Sequence, residues 1–295
     1  MNRPGHSGAI SRTLRSLPPA LAEQARRFVP GTTGEVVPRA AATVALLRDG
    51  HSGLEVYVIR RARSMAFAAG MYAFPGGAVD ERDAEGQPGW AGPPPSTWMR
   101  RLQTASEAEA RALVCAAIRE TYEEAGVLFA APAGSSSPDM TDPSWEADRL
   151  ALIAKRLALV DFVGRRGLLL RTDRLALWAH WITPRFEARR YDTRFFVAVL
   201  PPGQEARDVS GEAESVAWLT PEDALSRLAD GQMSMLPPTA VTLHELSGYA
   251  SSAEALSAAH LRKIRPIIPE AVVDGDDVRL ALPDHLAVDE VSRWP

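Results

Sequence analysis

Three glutamates constrain this chain more than any other feature. Glu120, Glu123 and Glu124 stand at i, i+3 and i+4 in a window with helical periodicity. Ser106 can cap a helix that starts near Glu107, with Glu109 as its capping-box partner. Gly126 sits where a glycine closes a helix C-terminus. Between these caps, Ala110, Leu113, Val114, Ala117, Ile118 and Ala125 recur at helical spacing and define a buried face. The spacing predicts a helix over 107–125 with the three acids together within one turn of the other face. Like charges this close destabilise a bare helix and raise each other's proton affinity. A hard divalent cation removes both penalties, and Mg²⁺ or Mn²⁺ prefers carboxylate oxygens. A solvated acidic face is the plainer reading of the triplet alone. Arg119 precedes the acids and can orient a carboxylate through a forked pair.

The rest of the chain has to supply a framework for that helix. Residues 40–47 and 54–61 are apolar runs around a turn-rich link and read as a β-hairpin. Gly70, Pro75, Gly76 and Gly77 then break the chain. Residues 81–104, rich in Pro, Gly and charge, read as a loop or insertion outside the core. Val127–Phe129, 175–183, 193–200 and 215–219 read as strands. Helices are expected over 145–159, after Thr220-Pro221, and over about 239–249 and 253–264. Mixed strands and helices without strict alternation favour an α/β fold, a mixed sheet with helices on both faces. The organisation expected is a lead-in over 1–35, partly disordered, one domain over 36–265 with its insertion at about 81–106, and a weakly patterned tail over 266–295.

With 46% hydrophobic and 24% charged residues the chain has material for a sizeable core. A net charge of −4 argues against non-specific nucleic-acid binding, although local arginines can still take a small anion. Of the 33 basic residues only Lys155 and Lys263 are lysine. The lone cysteine, Cys115, allows no internal disulfide and suits a reducing, cytoplasmic setting. It reads as a small buried hydrophobe. No apolar run is long enough to span a membrane.

The run Arg119-Glu120-Thr121-Tyr122-Glu123-Glu124-Ala125-Gly126-Val127 resembles the second half of a Nudix box, G-x5-E-x7-R-E-U-x-E-E-x-G-U with U apolar. Phe74-Pro75-Gly76-Gly77 resembles its entry, with Gly77 as the box glycine. The likeness extends over about residues 36–230. The two halves stand apart: residues 78–118 separate Gly77 from Arg119, a stretch of 41 where the box has 13. At the box's first glutamate, eight before Arg119, stands Arg111. Asp83 keeps the x5 spacing from Gly77, so it either replaces that acid or is a structural loop acid. Glu109 lies about 16 Å along the helix from Glu120, too far to share one ion.

The split box resembles the branch that includes peroxisomal coenzyme A diphosphatases. Gly70–Gly77, Trp181-Ile182-Thr183-Pro184, Arg190–Phe196 and Leu236-Pro237-Pro238 resemble segments of that branch, while Ala66 stands where its signature has arginine. Arg60, Arg61 and Arg63 lie nearby as substitutes. The resemblance implies a Nudix-type α/β/α sandwich with a long insertion in the box and extra C-terminal helices. It implies metal-dependent hydrolysis of a nucleoside diphosphate linked to another moiety, coenzyme A or an acyl ester first. An NADH or ADP-ribose pyrophosphatase, and a non-catalytic nucleotide-binding regulator, are the alternatives. Glu120, Glu123, Glu124 and Asp83 are then metal ligands for Mg²⁺ or Mn²⁺. Glu123, Glu120, Arg119 and Glu214 are the catalytic set, with Glu212 a further candidate for general base. Arg60, Arg190, Arg194, Gly76 and Gly77 are the substrate-binding set, with surface arginines on an edge strand as the plainer reading of Arg190 and Arg194. Trp178 and Trp181 alternate at strand spacing and read as core before base-stacking platforms. The expected partner is a small-molecule nucleoside diphosphate derivative, and a homodimer is compatible with the family.

Overall fold

The computed structural model describes residues 13–31, 35–63, 68–209, 213–283 and 286. Two compact units form. The larger comprises Arg39–Trp181 and Tyr191–Pro266; the described part of the smaller comes from the two ends of the chain and from residues 182–190.

In the larger unit the expected hairpin is present as β1 (Arg39–Gly50) and β2 (Gly53–Arg61). The main sheet continues with β3 (Leu175–Ile182), β4 (Tyr191–Val199) and β5 (Ala213–Leu219), in the order β5-β2-β1-β4-β3. β1 pairs antiparallel with β2 and parallel with β4, so the sheet is mixed. Both faces are covered. Ala42, Val44 and Leu46 of β1 join one cluster with Val114, Ile118 and Ala125 of the helix Glu107–Ala125. Ala45 and Leu47, which point the other way, are as fully buried, and helix Ser252–Leu261 packs on β1 and β4. The hairpin tip fixes that helix, because Asp49 accepts from the Ser252 backbone N–H at 2.7 Å and from its hydroxyl at 3.0 Å.

The hairpin ladder is short. Its pairs run from Gly50↔Gly53 to Leu47↔Val56. Past that point β1 pairs instead with Gly76–Ala78, and β2 with Tyr72–Ala73. The Phe74-Pro75-Gly76 turn is therefore laid into a fork between two diverging strands. Glycine is required there: a Cβ on Gly76 would stand 2.5 Å from the Ala42 carbonyl oxygen.

The insertion departs from the expectation of a loop outside the core. It holds a helix, Pro95–Leu102, whose Trp98 and Leu102 are fully buried in the main cluster. Its Trp90–Ala91 pairs with Leu168–Arg171, which pairs in turn with Ala130–Pro132. Scattered Pro and Gly masked one amphipathic helix with a large apolar payload. The strand expected at Val127–Phe129 starts only at Ala130. The helix expected over 145–159 is two, Ser144–Ile153 and Leu159–Arg165, parted at Lys155 with its φ of 56°.

The smaller unit replaces the expected unpatterned tail with a hairpin, Glu270–Asp274 against Asp277–Ala281. Thr13–Ser16 adds a third strand, and the lead-in continues as helix Pro19–Arg27.

Candidate active site

The helix Glu107–Ala125 has the caps its sequence predicts. The Ser106 hydroxyl accepts from the Glu109 N–H at 3.2 Å, and Gly126 takes φ 70°. Glu109 reaches back to the Ala105 N–H at 3.0 Å. The helix is buried on more than one face. Arg119, Thr121 and Tyr122 are buried along with its apolar residues, so it is a core element that carries its acids on a single remaining strip.

Arg119 organises that strip. Its guanidinium grips Asp83 with two bonds of 2.9 Å, one from Nε and one from Nη2. Nη1 donates to Glu120 at 2.8 Å and to Glu123 at 3.2 Å, and Nη2 donates to the Ala78 carbonyl at 3.1 Å. Burial alone would lower the Arg119 pKa, but the Asp83 bond and the charges of Glu120, Asp83 and Glu123 raise it. Two glycines bring the acids close to the turn. The Gly76 N–H donates to Glu124 at 2.9 Å. A Cβ on Gly77 would stand 2.5 Å from a Glu120 carboxylate oxygen. The fork, the helix and Arg119 thus gather Glu120, Glu123, Glu124, Gly76 and Gly77 into one place.

Asp83 belongs to this arrangement in a different role from the ligand expected. It is 3% exposed, and besides the Arg119 fork it accepts from the Asp80 N–H at 2.9 Å. With one oxygen committed to Arg119 and the other shared between Arg119 and Asp80, it orients Arg119 and is not placed as a cation ligand. The x5 spacing located the residue; the fold gives it the task of a positioning carboxylate.

Arg190 and Arg194 are corrected more strongly. Each is 5% exposed, and β4 lies between β1 and β3, so it is not a sheet edge. Arg190 donates to the Thr183 and Val36 carbonyls at 3.2 and 2.7 Å and to Glu35 at 3.1 Å. Arg194 donates to the Leu102 carbonyl at 3.0 Å, closing the insertion helix, and contacts Asp192 and His180. Both are buried, with Nε and Nη1 of each engaged by groups of the protein itself. Arg60 remains accessible, over Tyr72 with its cation 5.9 Å from the ring, and 3.5 Å from Glu214. Glu212 and Ala66 lie outside the described residues. Trp178 and Trp181 are core, with Trp178 Nε1 donating to Glu245 at 2.8 Å. Cys115 is buried, and burial pushes its thiol up to about 12.

Three supports were not visible in the sequence. Arg149, 2% exposed and paired with Glu146, donates to the Glu123 carbonyl at 2.8 Å and ties down the helix end. Gln204 clamps the Leu128 N–H and carbonyl at 2.8 and 2.9 Å. Tyr57 lies under the fork. No sequence spacing relates any of them to the box.

Burial drives the Glu123 carboxyl up to about 7, with Glu120 and Asp83 adding to the rise and Arg119 opposing it. The sign follows by linkage. A carboxyl with a raised folded pKa keeps its proton in the folded state while the unfolded chain releases it. That contribution to stability is present below about pH 4.5 and is lost as pH rises through about 7. Chelator-treated protein is expected to lose melting temperature across this window, and Glu123→Gln to flatten the loss; an unchanged slope in the variant would reassign it. A hard cation suits such a donor set, because it supplies the charge the buried carboxylate lacks. Among the described residues no three acidic or His/Cys side chains already converge as a cage. Mg²⁺ does not need one, since it is usually held by one or two carboxylates with waters and substrate phosphates.

The chain shares its fold with a crystallised NUDIX hydrolase from Alicyclobacillus acidocaldarius. That protein is 29% identical, with a TM-score of 0.62 and coverage of 77% of this chain and 99% of its own. The acyl-coenzyme A diphosphatase NUDT19 of Gallus gallus is 27% identical over 244 residues, covering 68% of this chain and 63% of the relative. Its Homo sapiens counterpart is 25% identical over 234 residues, covering 68% and 62%. The chain thus spans less than two thirds of the length of these curated relatives. Residues 96–246 match the NUDT19 Nudix domain, a stretch that starts inside the insertion and leaves Gly77 and Asp83 upstream. That match covers just over half of the 295 residues, and with the Arg119-centred carboxylates on a Nudix scaffold it places this chain in the NUDT19 Nudix domain family.

Proposed function

We propose that this chain hydrolyses the diphosphate of a nucleoside diphosphate joined to another moiety, with coenzyme A and acyl-coenzyme A as the first substrates to test. The observation that carries the reading is the gathering of Glu120, Glu123 and Glu124 by Arg119 and the Gly76-Gly77 turn. Two curated relatives named acyl-coenzyme A diphosphatase support the substrate choice.

A bound Mg²⁺ or Mn²⁺ would neutralise charge on the diphosphate and make a water more acidic. The chain does the rest by position. Glu120, Glu123 and Glu124 provide the oxygens that would hold the ion, and Arg119 fixes the first two. Arg60 offers a fork to a substrate phosphate. Glu214, on β5 and 3.5 Å from Arg60, is the carboxylate we take as the acceptor of a proton from the attacking water. Water adds to one phosphorus, the bond to the bridging oxygen breaks, and two monophosphates leave. The whole site falls within residues 36–265, which we take as the catalytic domain. No helix among the described residues is long and apolar enough to cross a membrane. A reducing compartment such as the cytoplasm suits the single buried cysteine.

The test is a screen with Mg²⁺ or Mn²⁺ against coenzyme A, acyl-coenzyme A, NADH and ADP-ribose. Release of 3′,5′-ADP from coenzyme A, lost in Glu123→Gln, is the expected result. Turnover confined to NADH or ADP-ribose keeps the chemistry and replaces the substrate. One observation favours the second reading, a nucleotide-binding module: Arg119 itself bridges Glu120 and Glu123. Binding of these compounds with no cation-dependent turnover would select it.

A further inference from the structure

Tyr57 is one of several buried polar side chains with an atom left without a partner among the described residues. It is 1% exposed, and its hydroxyl has no hydrogen-bond partner among the described residues. Its place is specific. The last hairpin pair is Leu47↔Val56, so Tyr57 is the first residue of β2 past the point where the strands part. Gly76 lies in the same fork and donates to Glu124. The Tyr57 ring belongs to the cluster beneath the helix Glu107–Ala125 and packs edge-on to Trp218 at 5.3 Å. Burial raises the Tyr57 pKa, and the negative charges of Asp208 and Glu124 add to the rise. The Asp208 segment is tied to the helix end, where the Arg207 N–H donates to the Ala125 carbonyl at 3.1 Å.

A buried donor left without a partner costs about 1–3 kcal/mol. Such a group is well suited to a partner that changes state. We propose that Tyr57 is a positioning residue: when a divalent cation is held on the carboxylate strip, its hydroxyl donates to Glu124 and fixes that carboxylate as a ligand. The inference rests on the reading of Glu124 as a cation ligand. Hydrogen bonds to ligating carboxylates tune metal affinity by roughly 10–100-fold. The Gly76 N–H already orients one Glu124 oxygen, and Tyr57 would complete the grip from the other wall of the fork.

Tyr57→Phe tests this without disturbing the ring, its contact with Trp218 or the core. Mn²⁺ alone is the probe, titrated by paramagnetic resonance, beside thermal melts in chelator. The metal-free variant is expected to melt at or above the wild-type temperature, because the lost hydroxyl had no partner. Its Mn²⁺ affinity is expected to fall about tenfold. In a Glu124→Gln background the same change should cost nothing, since the role runs through Glu124. Mn²⁺ affinity within twofold of wild type, an equal loss in the Glu124→Gln background, or a clear drop in metal-free melting temperature would each overturn the proposal. Wild-type protein that fails to bind Mn²⁺ would overturn the metal reading itself, a result distinct from any of these.

Discussion

Arg119→Met is expected to destabilise the protein by about 3–5 kcal/mol, because it breaks a buried pair and strands its partner. Asp83 is almost inaccessible and would keep only the Asp80 N–H. Glu120 and Glu123 would lose the cation that now lies between them. For a unit of this size the loss corresponds to a fall of roughly 6–20 °C in melting temperature. Arg119→Lys should recover little, since a point charge cannot reproduce the fork on Asp83. Pairing Arg119→Met with Asp83→Leu should recover part of it, because replacing both ions by apolar groups removes the uncompensated charge. A single Arg119→Met variant that melts within about 1 °C of wild type would mean that the pair does not hold the site together.

Glu123→Gln is expected to separate activity from stability. The change preserves shape and removes a charge whose burial already pushes its pKa up to about 7. The folded protein should therefore be no less stable, and above pH 7 more so, since the unfavourable ionised form is gone. Turnover should nevertheless fall about 10²–10⁴-fold at saturating substrate, the range for losing a group that acts in the reacting assembly. Glu109→Gln is the matched control. It lies on the same helix, exposed, and binds the Ala105 N–H well away from Gly77. Its turnover is expected within twofold of wild type. If Glu123→Gln retains more than a tenth of the activity, the carboxylate strip is not where the reaction occurs.

The two predictions divide the site between what is local and what is not. The helix Glu107–Ala125 was readable to the residue, because its start and stop depend on neighbours three or four positions away: Ser106 on the Glu109 N–H, Gly126 with its positive φ. The same short range put Glu120, Glu123 and Glu124 on one strip. The hairpin and the Thr220-capped helix, where Thr220 accepts from the Asp223 N–H at 3.1 Å, were legible for the same reason.

Contacts between distant segments were not. Asp83 meets Arg119 across 36 positions, so its task as a brace depended on where the insertion returns the chain. Trp98 buries a helix that Pro-rich flanks disguised. Arg190 and Arg194 looked free, because a strand's sequence does not say whether both its edges are paired. The tail looked patternless because its hairpin pairs with Thr13–Ser16, at the opposite end of the chain. By itself, then, the sequence determined the helix and the shared strip of its acids, both set by backbone geometry over a few residues, and its motif carried the likeness to the family. The tertiary structure alone decided which charges are buried braces and which face the site, because burial and pairing are properties of surfaces that meet only when the chain is folded.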